Sequence, residues 1–224
     1  LVAGDASVVE PFCASRGRAV PLVTTEGIAM GEHPATAVRA KRDSSIVRGC
    51  RAVREGDAQA FFSAGSTGAV LAAATVTVGR VKGVSRPALA AVLPGLDGHQ
   101  TVFCDLGANA DCRPEMVVQF AQMGVVYMEA IMGVENPRVG LLNIGAEDTK
   151  GDEFAQKAHG LLAASVPQFS GNCEGGNLMA GDFDVVVCDG FTGNGCLKTI
   201  EGTAKTLFKY VKDALMGSLA SKLG

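Results

Sequence analysis

Tryptophan is absent from this 224-residue chain and tyrosine occurs only twice, so stacking platforms for bases or sugars are poorly stocked. No apolar run approaches the ~18 residues of a membrane span, and the chain reads as soluble. Positive charge is not in excess either. Twenty Lys and Arg stand against 23 Asp and Glu, a net charge of −3, which argues against global attraction to nucleic acid. Histidine occurs three times, at His33, His99 and His159, each isolated among polar or loop residues and read as a surface histidine. The seven cysteines (Cys13, Cys50, Cys104, Cys112, Cys173, Cys188 and Cys196) are odd in number and form no C-x-x-C pair. That usage fits reduced thiols and a cytoplasmic protein. No secretory or targeting signal is visible. Opening on Leu1 without a Met and ending at Gly224 on a helical pattern, the chain reads as a piece of a longer one.

Glycine is abundant, 29 residues without a collagen period, and that implies many tight turns or backbone that approaches a ligand. Short continuous apolar runs predict strands buried on both faces at Ala19–Val23, Gln59–Ser63, Ala88–Val92, Thr101–Asp105, Val139–Asn143, Gln168–Gly171 and Asp184–Asp189. Helical patterns separate them at Pro34–Glu55, Thr67–Val78, Pro114–Met132, Glu153–Ser165 and Asn194–Leu223. This alternation predicts an α/β fold with a mostly parallel sheet and right-handed crossovers. Residues 1–224 are read as a single α/β domain.

The loops carry the unusual composition. Ser63–Ala69, Asp105–Asp111, Asn143–Gly151 and Asp189–Gly195 each follow an expected strand, and ligands in open α/β sheets bind outside the carboxyl ends of strands. One shared site is expected there. In Ser63-Ala64-Gly65-Ser66-Thr67-Gly68-Ala69, small residues let N–H groups approach an anion at a helix start. An ordinary N-cap explains the same residues. The loop is neither a Walker A motif nor a nucleophile elbow. Gly193-Asn194-Gly195 with Lys198 reads as a second anion cradle, or as a helix start with a solvated lysine. Asp105, Asn109 and Asp111 could bind a divalent cation or orient a base, while Asp111 could simply cap the next helix. Cys104, Cys112 and Cys196 lie near strand or helix ends, yet none has a partner histidine at a readable spacing. The helix at Pro114–Met132 is apolar nearly all round, as in a core or a subunit interface. The last helix sets Leu197, Ile200, Leu207, Phe208, Val211, Leu215 and Leu219 against Lys198, Lys205, Lys209 and Lys212. That pattern suits a packed helix with a wet face, or one lying on an anionic membrane.

Taken together, these loops resemble the PlsX family of phosphate acyltransferases. The resemblance rests on Ser63–Ala69, Gly79–Ala88, Asp105–Asp111, Asn136–Gly145 and Asp189–Asn194, with Glu32-His33-Pro34, Arg39, Lys41 and Asp43-Ser44-Ser45 upstream. It implies transfer of a fatty acyl group from acyl-carrier protein to inorganic phosphate, giving acyl phosphate for phospholipid synthesis, with no cofactor and no metal. It also implies a homodimer, a layered α/β/α fold like isocitrate and isopropylmalate dehydrogenases, and handover to a membrane glycerol-phosphate acyltransferase with peripheral membrane contact. Phosphate is then assigned to Ser63, Gly65, Ser66, Thr67 and Gly68. Catalytic roles fall to Lys198, Asn194, Asp105, Asn109 and Asn143, with Lys150 as a further cation. Arg80, Lys82 and Arg86 would meet the acidic carrier. Ser66 stands where the family usually has Asn, Gly176-Asn177 where it has Arg-Asp, and the family's opening and closing segments are missing. Three other readings differ in class: a phosphate acetyltransferase using coenzyme A thioesters, a metal-dependent dehydrogenase of related fold, and a non-catalytic dimer scaffold.

Overall fold

The computed structural model describes residues 1–216. The expected helix positions Leu219 and Leu223 lie outside them. The chain divides into two compact units, Leu1–Pro87 and Ala88 onward, where the sequence reads as a single domain.

In the first unit β1 (Val2–Gly4) pairs parallel with β2 (Pro21–Val23) around α1 (Ala6–Arg16). The sequence reading misses both β1 and α1, because three strand residues and a helix containing Pro11 carry almost no periodic signal. The single helix expected over Pro34–Glu55 is two helices, α2 (Pro34–Ala40) and α3 (Ser45–Glu55). Asp43 causes the break. Its carboxylate accepts from the Thr25 N–H at 2.8 Å and the Thr25 hydroxyl at 2.7 Å, and pairs with Arg48 at 2.6 Å. The expected strand Gln59–Ser63 is irregular backbone that pairs with no strand among the described residues. Helix α4 (Thr67–Thr77) packs on α2 and α3 through Val38, Ile46, Val47, Cys50, Ala69 and Ala73.

The second unit holds a five-stranded sheet in the order β3-β4-β7-β5-β6, comprising Ala90–Pro94, Gln100–Cys104, Val185–Val187, Val139–Asn143 and Phe169–Glu174. Only β3 runs antiparallel, so the expected mostly parallel sheet is present. Central strand β7 explains the layering. Val185 and Val187 bury against α5 (Pro114–Tyr127, continued by a π-turn to Met132) and α6 (Glu153–Ser165) with Val117, Phe120, Leu141 and Leu162. Val186, on the opposite face, packs with Phe103, Leu93, Cys173 and the start of α7 (Gly190–Met216). Strand alternation thus divides one Val-Val-Val run between two cores. Each fully buried side chain contributes about 1.5–3 kcal/mol. One face of α5 is buried, while Val126 and Ile131 are exposed. In α7 the apolar side chains from Leu207 to Met216 are exposed as well.

His99 and His159 are not surface side chains. His99 Nε2 sits 3.0 Å from the Phe183 carbonyl and 3.7 Å from Asp184, which also binds the Arg138 guanidinium. His159 packs edge-on against Phe169. Both rings are half-buried.

The hydroxyl and N–H of Thr25, with the Arg48 guanidinium, hold the Asp43 carboxyl down at about 2. A carboxylate whose folded-state value is depressed adds stability above its ordinary value near 3.8, and that stability is lost as pH falls through about 2. Asp43→Asn should therefore unfold at lower denaturant concentration than the parent at pH 7, with the two midpoints converging near pH 2. A gap that stays constant across that range would contradict the assignment.

Candidate functional site

Strands β4, β7 and β5 are parallel neighbours, so the loops that follow them, Asp105–Asp111, Asp189–Gly195 and Asn143–Gly151, gather at one end of the sheet. The Ser63–Gly68 loop belongs to the first unit. Three of the four expected loops are thus brought together within the second unit.

Asp105 organises that end. Its side chain is fully buried, and its carboxylate accepts from four donors. These are the N–H of Leu89 at 2.9 Å, of Ala108 at 3.1 Å and of Asn109 at 2.8 Å, and the Asn109 side-chain amide at 2.9 Å. A carboxylate with its lone pairs so committed is a scaffold for the loop, not a free base. The Asn109 carbonyl then accepts from the Gly190 N–H at 3.0 Å, seating the start of α7. Two glycines make the approach close enough. A Cβ on Gly190 would stand 2.7 Å from the Asn109 carbonyl oxygen, and one on Gly193 would collide with the Asp105 carbonyl and reach 2.9 Å from Cys188 Sγ. Asp189 caps the helix, accepting from Thr192 N–H at 2.9 Å and from its hydroxyl at 2.5 Å. The exposed Asn194 side chain stands over Gly107, its Cγ 3.5 Å from where a Cβ would lie. Asn194 is therefore a free amide on the first turns of a helix seated by Asp105. Lys198, one turn on, is exposed and pairs with Glu201 at 2.8 Å.

The third loop is tied by side chains that sequence reasoning missed. Asn143 spends both ends of its amide locally, accepting from Ile144 N–H at 2.8 Å and donating to the Lys150 carbonyl at 3.1 Å. Asn172 donates to the Glu147 carbonyl at 2.8 Å, and Gln156 donates to the carbonyls of Thr149 and Gly151 at 3.1 and 3.0 Å. His159 Nε2 lies 3.3 Å from Asp148. Lys150 rides on this braced loop, with its ammonium 3.9 Å from Glu147. No spacing rule links Asn172, Gln156 and His159 to the loop, because each comes from a different point on β6 or α6. Asp189 was readable as a strand-end acid before a Gly-x-x-Gly turn.

A cavity of about 420 Å³ opens among these loops. Asn143, Asp152, Asp189 and Thr192 line its polar side, and Leu141, Leu142, Ile144 and Phe154 its apolar side.

In the first unit Ser66 caps α4, its hydroxyl accepting from Ala69 N–H at 3.4 Å, and Ser63 Oγ accepts from Gly65 N–H at 3.1 Å. Each hydroxyl keeps its proton for donation. Thr67 and Gly68 open the helix, where N–H groups have no intrahelical acceptor. The capping and anion-binding readings coexist in this geometry. Arg80 donates to the Ser85 carbonyl and so braces its own turn, while Lys82 and Arg86 are exposed.

Burial disfavours the thiolate at the cysteines of the second unit. Burial pushes Cys104 and Cys188 far up, raises Cys112 and Cys173 to about 12, and raises Cys196. Among the described residues, no three or more His, Cys, Asp or Glu side chains form a metal-binding group. No described helix is long and apolar enough to cross a membrane.

Asp105→Asn replaces an acceptor-only group by one that turns an NH₂ toward N–H donors, leaving at least one buried donor unpaired. Chemical denaturation followed by circular dichroism should show a loss of about 1–3 kcal/mol. Gly193→Ala should be at least as damaging, because its methyl meets backbone that cannot move aside. Parent-like stability in both variants would refute this account of the scaffold.

The family described as "Fatty acid synthesis protein" matches residues 1–224. Among curated relatives, a phosphate acyltransferase from Geobacillus thermodenitrificans is 48% identical over 220 residues, 98% of this chain and 67% of the relative. One from Desulfitobacterium hafniense is 51% identical over 201 residues, 89% of this chain and 60% of the relative. The chain thus spans about two thirds of the length of these relatives. Among solved structures, a phosphotransacetylase from Streptococcus pyogenes superposes with a TM-score of 0.60 at 16% identity, covering 91% of this chain and 73% of that one. A phosphotransacetylase from Staphylococcus aureus gives 0.58 at 17% identity, covering 92% and 74%. These likenesses bear on the fold alone. The relatives, matching across nearly all of this chain, establish that it belongs to the fatty acid synthesis protein family, among the phosphate acyltransferases.

Proposed function

We propose that this polypeptide moves a fatty acyl group from the thioester of acyl-carrier protein to inorganic phosphate. A phosphate oxygen attacks the thioester carbonyl carbon and the carbon–sulfur bond breaks. The proton of hydrogen phosphate ends on the departing carrier thiolate, so that acyl phosphate and carrier thiol form without oxidant or cofactor. The observation that carries this reading is the seat of α7. Its first turns present the unencumbered amide of Asn194 beside helix N–H groups, on a loop fixed by the buried Asp105. Such donors suit the oxyanion that develops on the thioester carbonyl. Lys150, held on its braced loop, supplies positive charge at the same end of the sheet. Lys198 is tied to Glu201, so it would have to exchange that partner for an anion to take part. Phosphate is assigned to the Ser63–Gly68 loop, where small residues, two hydroxyl protons and first-turn N–H groups favour an anion. The raised thiols support direct attack by phosphate without a covalent enzyme intermediate.

Lys82 and Arg86 are assigned to the acidic carrier. The exposed apolar side of α7 supports contact with a second copy of the chain and, with Lys205, Lys209 and Lys212, peripheral contact with the membrane that receives the product.

The test is release of free carrier from long-chain acyl-carrier protein, measured with and without inorganic phosphate. Phosphate-dependent release is expected, with coenzyme A thioesters far poorer. Asn194→Ala should lower kcat by about 10²–10³, and Cys112→Ala should leave it unchanged. Phosphate-independent release, or a preference for coenzyme A thioesters, would overturn the reading.

A further inference from the structure

The cavity among the strand-end loops has two chemically distinct walls. Its polar wall, Asn143, Asp189 and Thr192, belongs to the loops described above. Its apolar wall, Leu141, Leu142, Ile144 and Phe154, is needed by none of the chemistry assigned so far. Leu141 is buried within the sheet core, whereas Ile144 is 82% exposed at the mouth. The volume, about 420 Å³, falls within the ~300–1,000 Å³ typical of small-molecule sites, which pair apolar lining with a few polar groups. An isoleucine left in water beside a braced polar loop gains nothing for folding, since Ile144 contributes almost no buried area. Its place at the mouth suits contact with an apolar ligand that enters past it.

The geometry points to this cavity as the seat of the acyl chain, with Ile144 at its mouth and Phe154 on its wall setting which chain lengths are accepted. The inference rests on the acyl-transfer reading, and it names which part of the substrate the second unit holds. Continuity with the polar wall carries it. A thioester carbonyl placed among the strand-end loops leaves its hydrocarbon tail facing the apolar wall of the cavity that adjoins them. The carrier and the phosphate are both too polar to occupy that surface without unpaired groups.

Two ladders test it in the full chain. In the first, kcat/KM is measured on acyl-carrier protein bearing acyl groups of increasing length. In the second, dissociation constants are measured by calorimetry for straight-chain alkylphosphonates of increasing length, which needs no turnover. Affinity should rise by about fourfold per added methylene until the cavity is full, as expected for burial of a CH₂. Ile144→Trp narrows the mouth from an exposed position that folding does not depend on. It should cut the longest substrates and ligands by tenfold or more while sparing the shortest. Phe154→Ala should move the preferred length upward. A flat phosphonate ladder, or variants that scale every length by the same factor, would overturn the assignment even if phosphate-dependent turnover is found. A steep ladder sensitive to Ile144→Trp in a protein without such turnover would uphold the cavity and sink the acyl-transfer reading instead.

Discussion

The seat of α7 at the carboxyl end of the second unit's sheet hangs on one buried carboxylate. Asp105 accepts four part-buried hydrogen bonds from backbone and amide donors. Bonds to an ionised acceptor contribute about 1.5–3 kcal/mol each, and here they fix a position as much as they add stability. They tie the segment entering β3 to the end of β4 and hold the Ala108–Asn109 turn, whose Asn109 carbonyl accepts from Gly190. Helix α7 inherits its position from that contact, and Asn194 inherits its own from α7. A residue that reads in the sequence as a candidate base does its work as an acceptor, one step removed from the chemistry.

The two glycines of Asp189-Gly190-Phe191-Thr192-Gly193 belong to the same constraint seen from the helix. At both positions a methyl would strike backbone of the Asp105–Asn109 loop. Backbone cannot rotate away as a side-chain tip can, so the spacing of three residues that sets both glycines on one face of the first turn follows from the contact. This spacing superficially resembles part of a dinucleotide fingerprint. Here its physical content is close packing of a helix start on a neighbouring loop.

Much of this was legible in advance, and what was not has a common cause. The runs that became β4, β5 and β7 announce themselves because a strand buried on both faces is largely apolar, as in Val185-Val186-Val187. The break between α2 and α3 was written in Asp43-Ser44-Ser45 as a capping signal, but helical periodicity on either side concealed it. Gln59–Ser63 has the residues of a strand but pairs with no strand among those described, because propensity cannot supply a ladder. The loop-strand-helix pattern located Asn194, Asp105 and Asn143 correctly at strand ends. It could not reveal that Asn143 is spent on its own loop, or that Asn172 and Gln156 brace Lys150's loop from β6 and α6. The Asn172 bond is long-range, and the side-chain-to-carbonyl bonds of Asn143 and Gln156 depend on the loop's fold, which periodicity does not encode.

The cysteines show why this division of labour suits a thioester. An enzyme forming an acyl intermediate on cysteine needs a thiolate, with a base or a helix start to stabilise it. Here the apolar packing that builds the sheet drives the thiols in the opposite direction. Cys104 and Cys188 line the core, and Cys196 packs behind the first turns of α7 against the same cluster. Making any of them reactive would require opening the core that positions Asn194. A thioester is already activated and hydrogen phosphate is already a nucleophile near neutral pH, so positioned donors and a fixed cation suffice. Alignment of that kind can supply about 7–11 kcal/mol of the barrier. A scaffold of saturated hydrogen bonds around one buried carboxylate is what alignment requires, and it leaves the thiols free to serve as packing.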